Sequence, residues 1–288
     1  MPQDVKRGYA DFADGQIHYR MARPAQATGK RPLVLFHGSP ASSRSLERMV
    51  RALGKSRPTI AFDALGQGDS DPPRDDKVGI EYFSAAVAQA LQSMGPDFAK
   101  VDAFGTHTGG RIATELAINH KAQVGKIILD GMRRGVSPFW HEYAASLDYS
   151  QYIDQDGTQF HKSFMRTRDI YLFFPPYMKD AEHRRGEGLP SAIDVHEDAI
   201  EGFKAVRYGH IAYKLAVLYP ADKRLPLIPV PVLCTCARLD GPHGELADVT
   251  RMIPGAQMRE HPHDNRIGEA TDAEIVALCA MMTAWLDS

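Results

Sequence analysis

Cysteine is scarce in this chain, and the three residues present are an odd number, so no complete disulfide framework holds the fold. Cys234 and Cys236 stand two apart in an apolar, strand-like run and therefore face one side of it, while Cys279 falls in a helical pattern. Buried thiols in a reducing compartment are expected, and with them a cytoplasmic location. Charge of one sign is also lacking. A net charge of -2 gives no reason to expect nucleic acid or an anionic membrane as a partner. No apolar run approaches the ~18 residues of a membrane span, and Met1 to Lys6 has none of the apolar core of a secretion signal. Internal repeats and low-complexity tracts are absent. Gly66-Gln67-Gly68 lacks the third glycine of a dinucleotide fingerprint, and no complete Gly-x-x-x-x-Gly-Lys-Ser/Thr phosphate loop occurs, so nucleotide-binding readings fail. His261, His263 and Asp264 surround Pro262 without any further donor cluster nearby in sequence, so neither metal nor cofactor is expected.

What remains is ordinary globular material, 43% hydrophobic and 24% charged over 288 residues. That length suits one α/β domain carrying an insertion. Residues 7 to 22 read as a hairpin around Asp14-Gly15. Leu33 to Phe36 is a continuous apolar run, as strands buried on both faces are. Ser42 to Leu53 reads as a helix, Thr59 to Phe62 as a second buried strand and residues 80 to 94 as a second helix. Val101 begins a third strand, and Lys126 to Leu129 reads as a fourth. Alternation at these intervals predicts a parallel sheet with right-handed crossovers. From about Met132 to Leu225 the strand pattern stops. Of the chain's 25 Phe, Trp and Tyr residues, 15 lie between Phe139 and Tyr219. Residues 132–225 are therefore expected to form a helical cap over the core, with Trp140, Tyr143, Phe173 and Phe174 lining an apolar substrate pocket. The rhythm resumes with a strand at 230–236, a helix near 244–253, a strand at 257–260 and a final helix at 272–286.

Gly105-Thr106-His107-Thr108-Gly109 joins the third strand to a helix within very few residues. Glycines two positions either side of an apex let backbones pass closely and leave the apex exposed on a strained turn. Only His107 has glycine at both −2 and +2; with Thr108 at the apex, Thr106 would crowd the turn.

These segments together resemble the α/β-hydrolase fold over nearly the whole chain. The likeness rests on His37-Gly38-Ser39-Pro40 after a buried strand, on Asp63 to Asp71 (similar to D-x-x-G-x-G-x-S), and on the elbow at 105–109. It rests also on the insertion, on Asp240 after the penultimate strand and on a histidine after the last. The resemblance implies a core of residues 1–131 and 226–288. It puts His107 in the nucleophile's place, Asp240 in the acid's and His263 in the base's, with the N–H groups of Ser39 and Thr108 as oxyanion hole and His37 and Gly38 beside the pocket. Asp130 is a second-choice acid, and His261 competes with His263. The departure is the histidine where the family has Ser, Cys or Asp.

A neutral imidazole can attack an activated acyl carbon or serve as a base toward water or a substrate C–H. Two readings follow. One is an enzyme acting on a small, partly apolar ester, lactone or thioester, or cleaving a C–C bond beside a carbonyl by proton transfer. The other is a relative that binds small molecules without catalysis. The kept Asp240, His263 and elbow glycines favour the enzyme.

Overall fold

The computed structural model describes residues 5–186 and 188–288. Its frame is one eight-stranded sheet. The strands are β1 (Lys6–Phe12), β2 (Gly15–Ala22), β3 (Leu33–Phe36), β4 (Thr59–Phe62), β5 (Val101–Thr106), β6 (Val124–Asp130), β7 (Val232–Cys236) and β8 (Gln257–Glu260). They lie in the order β1-β2-β4-β3-β5-β6-β7-β8. β1 and β2 are antiparallel to their neighbours, and all pairs from β4 through β8 are parallel. The hairpin turn is Ala13-Asp14 rather than Asp14-Gly15, since Gly15 already pairs with Phe12.

Period-two alternation divides the core in two layers. Val34 and Phe36 pack with Ile60 and Phe62 on one face, under α2 (Ile80–Ser93) and α3 (Thr108–Asn119). Leu33 and Leu35 point to the other, with Met49 and Leu53 of α1 (Glu47–Leu53) and Leu278 and Met282 of the C-terminal helix at Asp272–Leu286. These four β3 side chains are at most 3% exposed, and full burial of each contributes roughly 1.5–3 kcal/mol. α2 and α3 each carry an apolar face onto the sheet, and the final helix is capped by Thr271 and Glu274 in a reciprocal pair.

β6 begins two residues before the apolar run that announces it. The β5–β6 register shifts between Val101 and Ala103, and the Lys126 N–H donates instead to the Asp102 carboxylate at 2.9 Å. Of the two added residues, Val124 and Gly125, the glycine has no side chain to mark it as strand.

Between β6 and β7 the described residues form only helices: α4 (Pro138–Ala145), α5 (Thr158–Leu172), α6 (Ala192–Lys204), α7 (Gly209–Val217) and α8 (Ala221–Arg224). Among the described residues there, Phe173 and Arg184 form an isolated β bridge. The insertion returns to the core through the buried Glu115 of α3, which accepts from Tyr219 Oη at 2.5 Å and from Arg224 Nη2 at 2.6 Å. α9 (Leu246–Met252) and α10 (Asp272–Leu286) complete the chain. All three cysteines are free and buried, and burial pushes Cys234 up to about 11 and Cys279 up to about 12.

Candidate active site

The carboxyl ends of β5, β6, β7 and β8 lie side by side, and His107, Asp130, Asp240 and His261 stand at or just beyond them. At β5 the chain turns through His107, the one non-glycine residue with positive φ among the described residues (φ 48°, ψ −111°). Strain of this kind costs on the order of 1–3 kcal/mol and persists only when neighbours hold it. Here they do. The His107 N–H donates to the Asp130 carbonyl at 3.0 Å, and the His107 carbonyl accepts from Gly110 N at 3.0 Å and from Arg111 Nη1 at 2.7 Å. The flanking glycines are required by contact. A Cβ on Gly105 would lie 2.2 Å from the Gly109 carbonyl oxygen, and one on Gly109 would lie 2.2 Å from that of Phe36.

The imidazole is not left alone at the apex. His107 Nε2 lies 2.9 Å from Asp240 Oδ2; the His107 side chain is 41% exposed and that of Asp240 7%. Burial alone would raise the Asp240 pKa, but His107, Arg266 and Arg133 overcome it and hold the carboxyl down at about 2. It is therefore ionised at neutral pH.

This pairing corrects the expectation that Asp240 serves His263. The acid turns instead to the elbow histidine. The histidine after the last strand that meets a carboxylate is His261, whose Nε2 lies 2.8 Å from Asp130 Oδ1, with side chains 1% and 4% exposed. The reason is register. β8 ends at Glu260, and the His261 N–H adds one more rung by donating to the Cys236 carbonyl. Its ring is thus carried onto the end of β6, whereas His263 lies beyond Pro262. Burial disfavours the His261 cation, yet Asp130 outweighs it and raises the pKa. His263 packs edge-on to His261 at 5.2 Å, and its own pKa is lowered by burial and by the neighbouring cation. Among the described residues neither ring nitrogen of His263 has a partner.

The loop after β3 lies across the apex, where a Cβ on Gly38 would lie 3.4 Å from His107 Cβ. His37 does not offer a nitrogen to a ligand: it is 1% exposed, its Nδ1 donates to the Gly38 carbonyl and its Nε2 accepts from Ala64 N. Burial lowers its pKa accordingly. Ser39 Oγ accepts from Gln67 Nε2 at 2.7 Å, and Gln67 Oε1 accepts from Ala41 N, so a buried amide sets the shape of this loop. Thr108 opens α3, so its N–H has no intrahelical acceptor, and the residue is 1% exposed.

Of the rings expected at the pocket, Tyr143 is placed differently. It is 1% exposed, and the five rings around it (Phe139, Trp140, Phe174, Tyr177 and Tyr213) all belong to the insertion. Its hydroxyl bonds that of Tyr213 at 2.8 Å. An aromatic with a polar tip finds its partner inside the insertion's own core. Phe174 belongs to the same cluster, and half-buried Phe173 makes the bridge to Arg184. Trp140 reaches toward the site: the Arg133 guanidinium lies 4.5 Å over its ring, bonds Glu245 and comes close to Gly241, next to Asp240. Arg111 and Arg133 are the residues that sequence reasoning missed, because an arginine inside a helix pattern or just after a strand carries no signal by itself.

His18, Asp63 and Asp69 bring donor atoms within 4.8 Å of one another. Asp63, however, already accepts from Ser43 N, Asp69 N and His18 Nδ1, while Lys204 pairs with Asp69. The cluster braces the glycine loop. A groove of about 720 Å³ lined by Asp71, Asp75, Asp76, Asp148 and His210 contains none of the elbow residues.

A parallel sheet with a glycine-flanked elbow after β5 and ionisable groups on the following turns is the arrangement of the α/β hydrolase fold. The model of that family matches residues 31–177, half of the chain, and the protein belongs to it. Among curated proteins it is 27% identical over 136 residues to a proline iminopeptidase of Heyndrickxia coagulans, covering 47% of this chain and 46% of that one. It is 31% identical over 103 residues to the 2-hydroxymuconate semialdehyde hydrolase of Pseudomonas sp. strain CF600, covering 35% and 36%. The matches thus span less than half the length of either relative. Among solved structures the enol-lactonase from Burkholderia xenovorans LB400 superposes with a TM-score of 0.73 at 17% identity, over 98% of this chain and 100% of that one, a likeness of fold. No described helix is long and apolar enough to cross a membrane.

Proposed function

We propose that this chain is a hydrolase of a small, partly apolar ester, lactone or thioester, and that His107, oriented by Asp240, is its general base. The observation that carries the reading is the 2.9 Å contact between His107 Nε2 and Asp240 Oδ2 at the elbow apex. With the carboxylate on Nε2, the neutral ring keeps its proton there and presents the Nδ1 lone pair. A base held in one orientation by a carboxylate works on water or on a substrate hydrogen. Water attacks the carbonyl carbon as Nδ1 takes its proton, and the oxyanion is received by the N–H groups of Ser39 and Thr108. The imidazolium then returns the proton to the leaving oxygen or sulfur. No acyl-enzyme forms on this route. Asp240 is committed to His107, so a relay from an elbow nucleophile through His263 to Asp240 lacks its acid.

Residues 132–225 act in this reading as the cap, with Trp140 beside the site. The names of an enol-lactonase and a semialdehyde hydrolase among the similar proteins support carbonyl substrates. The same base would also serve cleavage of a C–C bond beside a carbonyl by proton transfer.

The test is a panel of short-chain esters, thioesters and lactones run on the protein and on His107→Ala, with rapid acid quench and mass analysis of the peptide carrying residues 105–111. Hydrolysis without an adduct at any quench time, and a rate lowered in His107→Ala, is the expected result. A transient acyl adduct on that peptide would make His107 a nucleophile instead. Full activity in His107→Ala would remove it from the chemistry.

A further inference from the structure

Arg111 stands four residues after the apex, in the first turn of α3, where a long side chain runs back toward the helix N-terminus. It is 6% exposed. Its Nη1 donates to the His107 carbonyl at 2.7 Å, its Nε has no partner, and it forms no ion pair with a carboxylate among the described residues. The charged groups that face it are Arg133, from the segment after β6, and Glu245 and Asp240, from the segment after β7. Tyr219, at the end of the insertion, faces it too. A buried guanidinium without a carboxylate is an expensive way to satisfy one carbonyl oxygen, which Gly110 N already bonds. Were the side chain only filling space, an apolar residue of similar volume would do as well or better. What the charge adds is a strong, directional bond to the one carbonyl whose placement fixes the strained apex. The direction of the apex carbonyl sets the twist of the peptide, and through it where the imidazole sits relative to Asp240.

We propose that Arg111 is a positioning residue, whose charged hydrogen bond to the His107 carbonyl holds the apex so that the imidazole stays on Asp240. The proposal rests on His107 being the working base, and its test separates the two. Arg111→Met and Arg111→Gln are made with Arg111→Lys, and each is checked for folding by circular dichroism. Two quantities are read: kcat and KM on the best substrate of the panel, and the downfield proton resonance of the His107 Nε2–H, assigned by its loss in His107→Ala. In Arg111→Met, kcat falls by roughly 10²-fold, the loss a misplaced reacting group of about 1 Å brings, while KM moves little. The Nε2–H signal is lost or broadened, and Arg111→Lys recovers part of both. If Arg111→Met does not fold, Arg111→Gln decides by the same two readings. A folded Met or Gln variant with unchanged kcat and an unchanged Nε2–H signal overturns the proposal. If His107→Ala proves fully active, the reading of His107 as base falls, and the resonance alone still decides whether Arg111 holds the ring.

Discussion

Two of the histidine–carboxylate pairs at the carboxyl end of the sheet, His107–Asp240 and His261–Asp130, differ in exposure. His107 and Asp240 meet at 2.9 Å with the imidazole 41% exposed; His261 and Asp130 meet at 2.8 Å with both side chains almost wholly covered. Both set an imidazole nitrogen against a carboxylate oxygen, the sealed one as a hydrogen bond and the exposed one at ion-pair distance. Their surroundings give them different work. A carboxylate that orients a half-exposed ring leaves a nitrogen for a ligand, whereas a sealed pair is reached by nothing larger than a proton and acts on the fold. The separation arises from backbone placement. One histidine is thrust outward by a strained elbow, and the other is drawn in as an extra rung beside β7.

The largest effect should come from the exposed pair. His107→Ala is expected to lower kcat by roughly 10²–10⁴-fold, the contribution of one general base, and to lower stability as well, because the buried Asp240 carboxylate loses its nearest partner. Asp240→Asn should also lower kcat, since the amide can hold the wrong tautomer. Assays at saturating substrate beside unfolding curves read both. A variant that loses stability and keeps its rate would exchange the roles of the two pairs.

Next in size is the sealed pair. Below pH 6.5, where His261 is protonated, Asp130→Asn leaves a buried imidazolium without its counter-charge, for a loss of about 3–5 kcal/mol in denaturant unfolding. If the loss appears in kcat alone, His261 belongs to the chemistry and the contrast collapses. The pH dependence sharpens the same point. The His261 pKa is raised in the folded state, so its contribution is fully present below the unfolded value of 6.5 and is lost as pH rises through the folded pKa. The Asp240 pKa is lowered to about 2, so its contribution is present above the unfolded value of 3.8 and is lost as pH falls toward 2. Unfolding midpoints across pH should therefore decline on both sides. In Asp130→Asn the alkaline decline should flatten and the acid one remain.

The sheet and its elbow were legible in the sequence because buried parallel strands are continuous apolar runs and because two backbone contacts force glycine at 105 and 109. Asp240 and His107 were both found, but not as partners. That His261 rather than His263 meets a carboxylate follows from a single rung, His261 N–H to the Cys236 carbonyl, and residue types do not encode it. Arg111 and Arg133 escaped because charged residues in helices and after strands are usually solvated. Tyr143 was assigned to a pocket wall because aromatic density marks an apolar surface without saying which side it faces.

The smallest effect falls where neither pair reaches. Tyr143→Phe removes one hydroxyl from the bond to Tyr213 and keeps the ring among its five aromatic neighbours. The net loss of one such bond is about 0.5–1.5 kcal/mol, and the unfolding midpoint should fall only slightly. Because the ring itself stays in place among those neighbours, kcat and KM should stay as they are. Trp140→Ala is the contrasting change. It strips the ring from over the Arg133 guanidinium, 4.5 Å away, and Arg133 is among the charges that hold Asp240 ionised. KM should rise there while Tyr143→Phe leaves it unmoved. If Tyr143→Phe instead raises KM as much as Trp140→Ala does, the insertion's aromatic cluster is part of the substrate's surface, and the boundary drawn between it and the exposed pair is wrong.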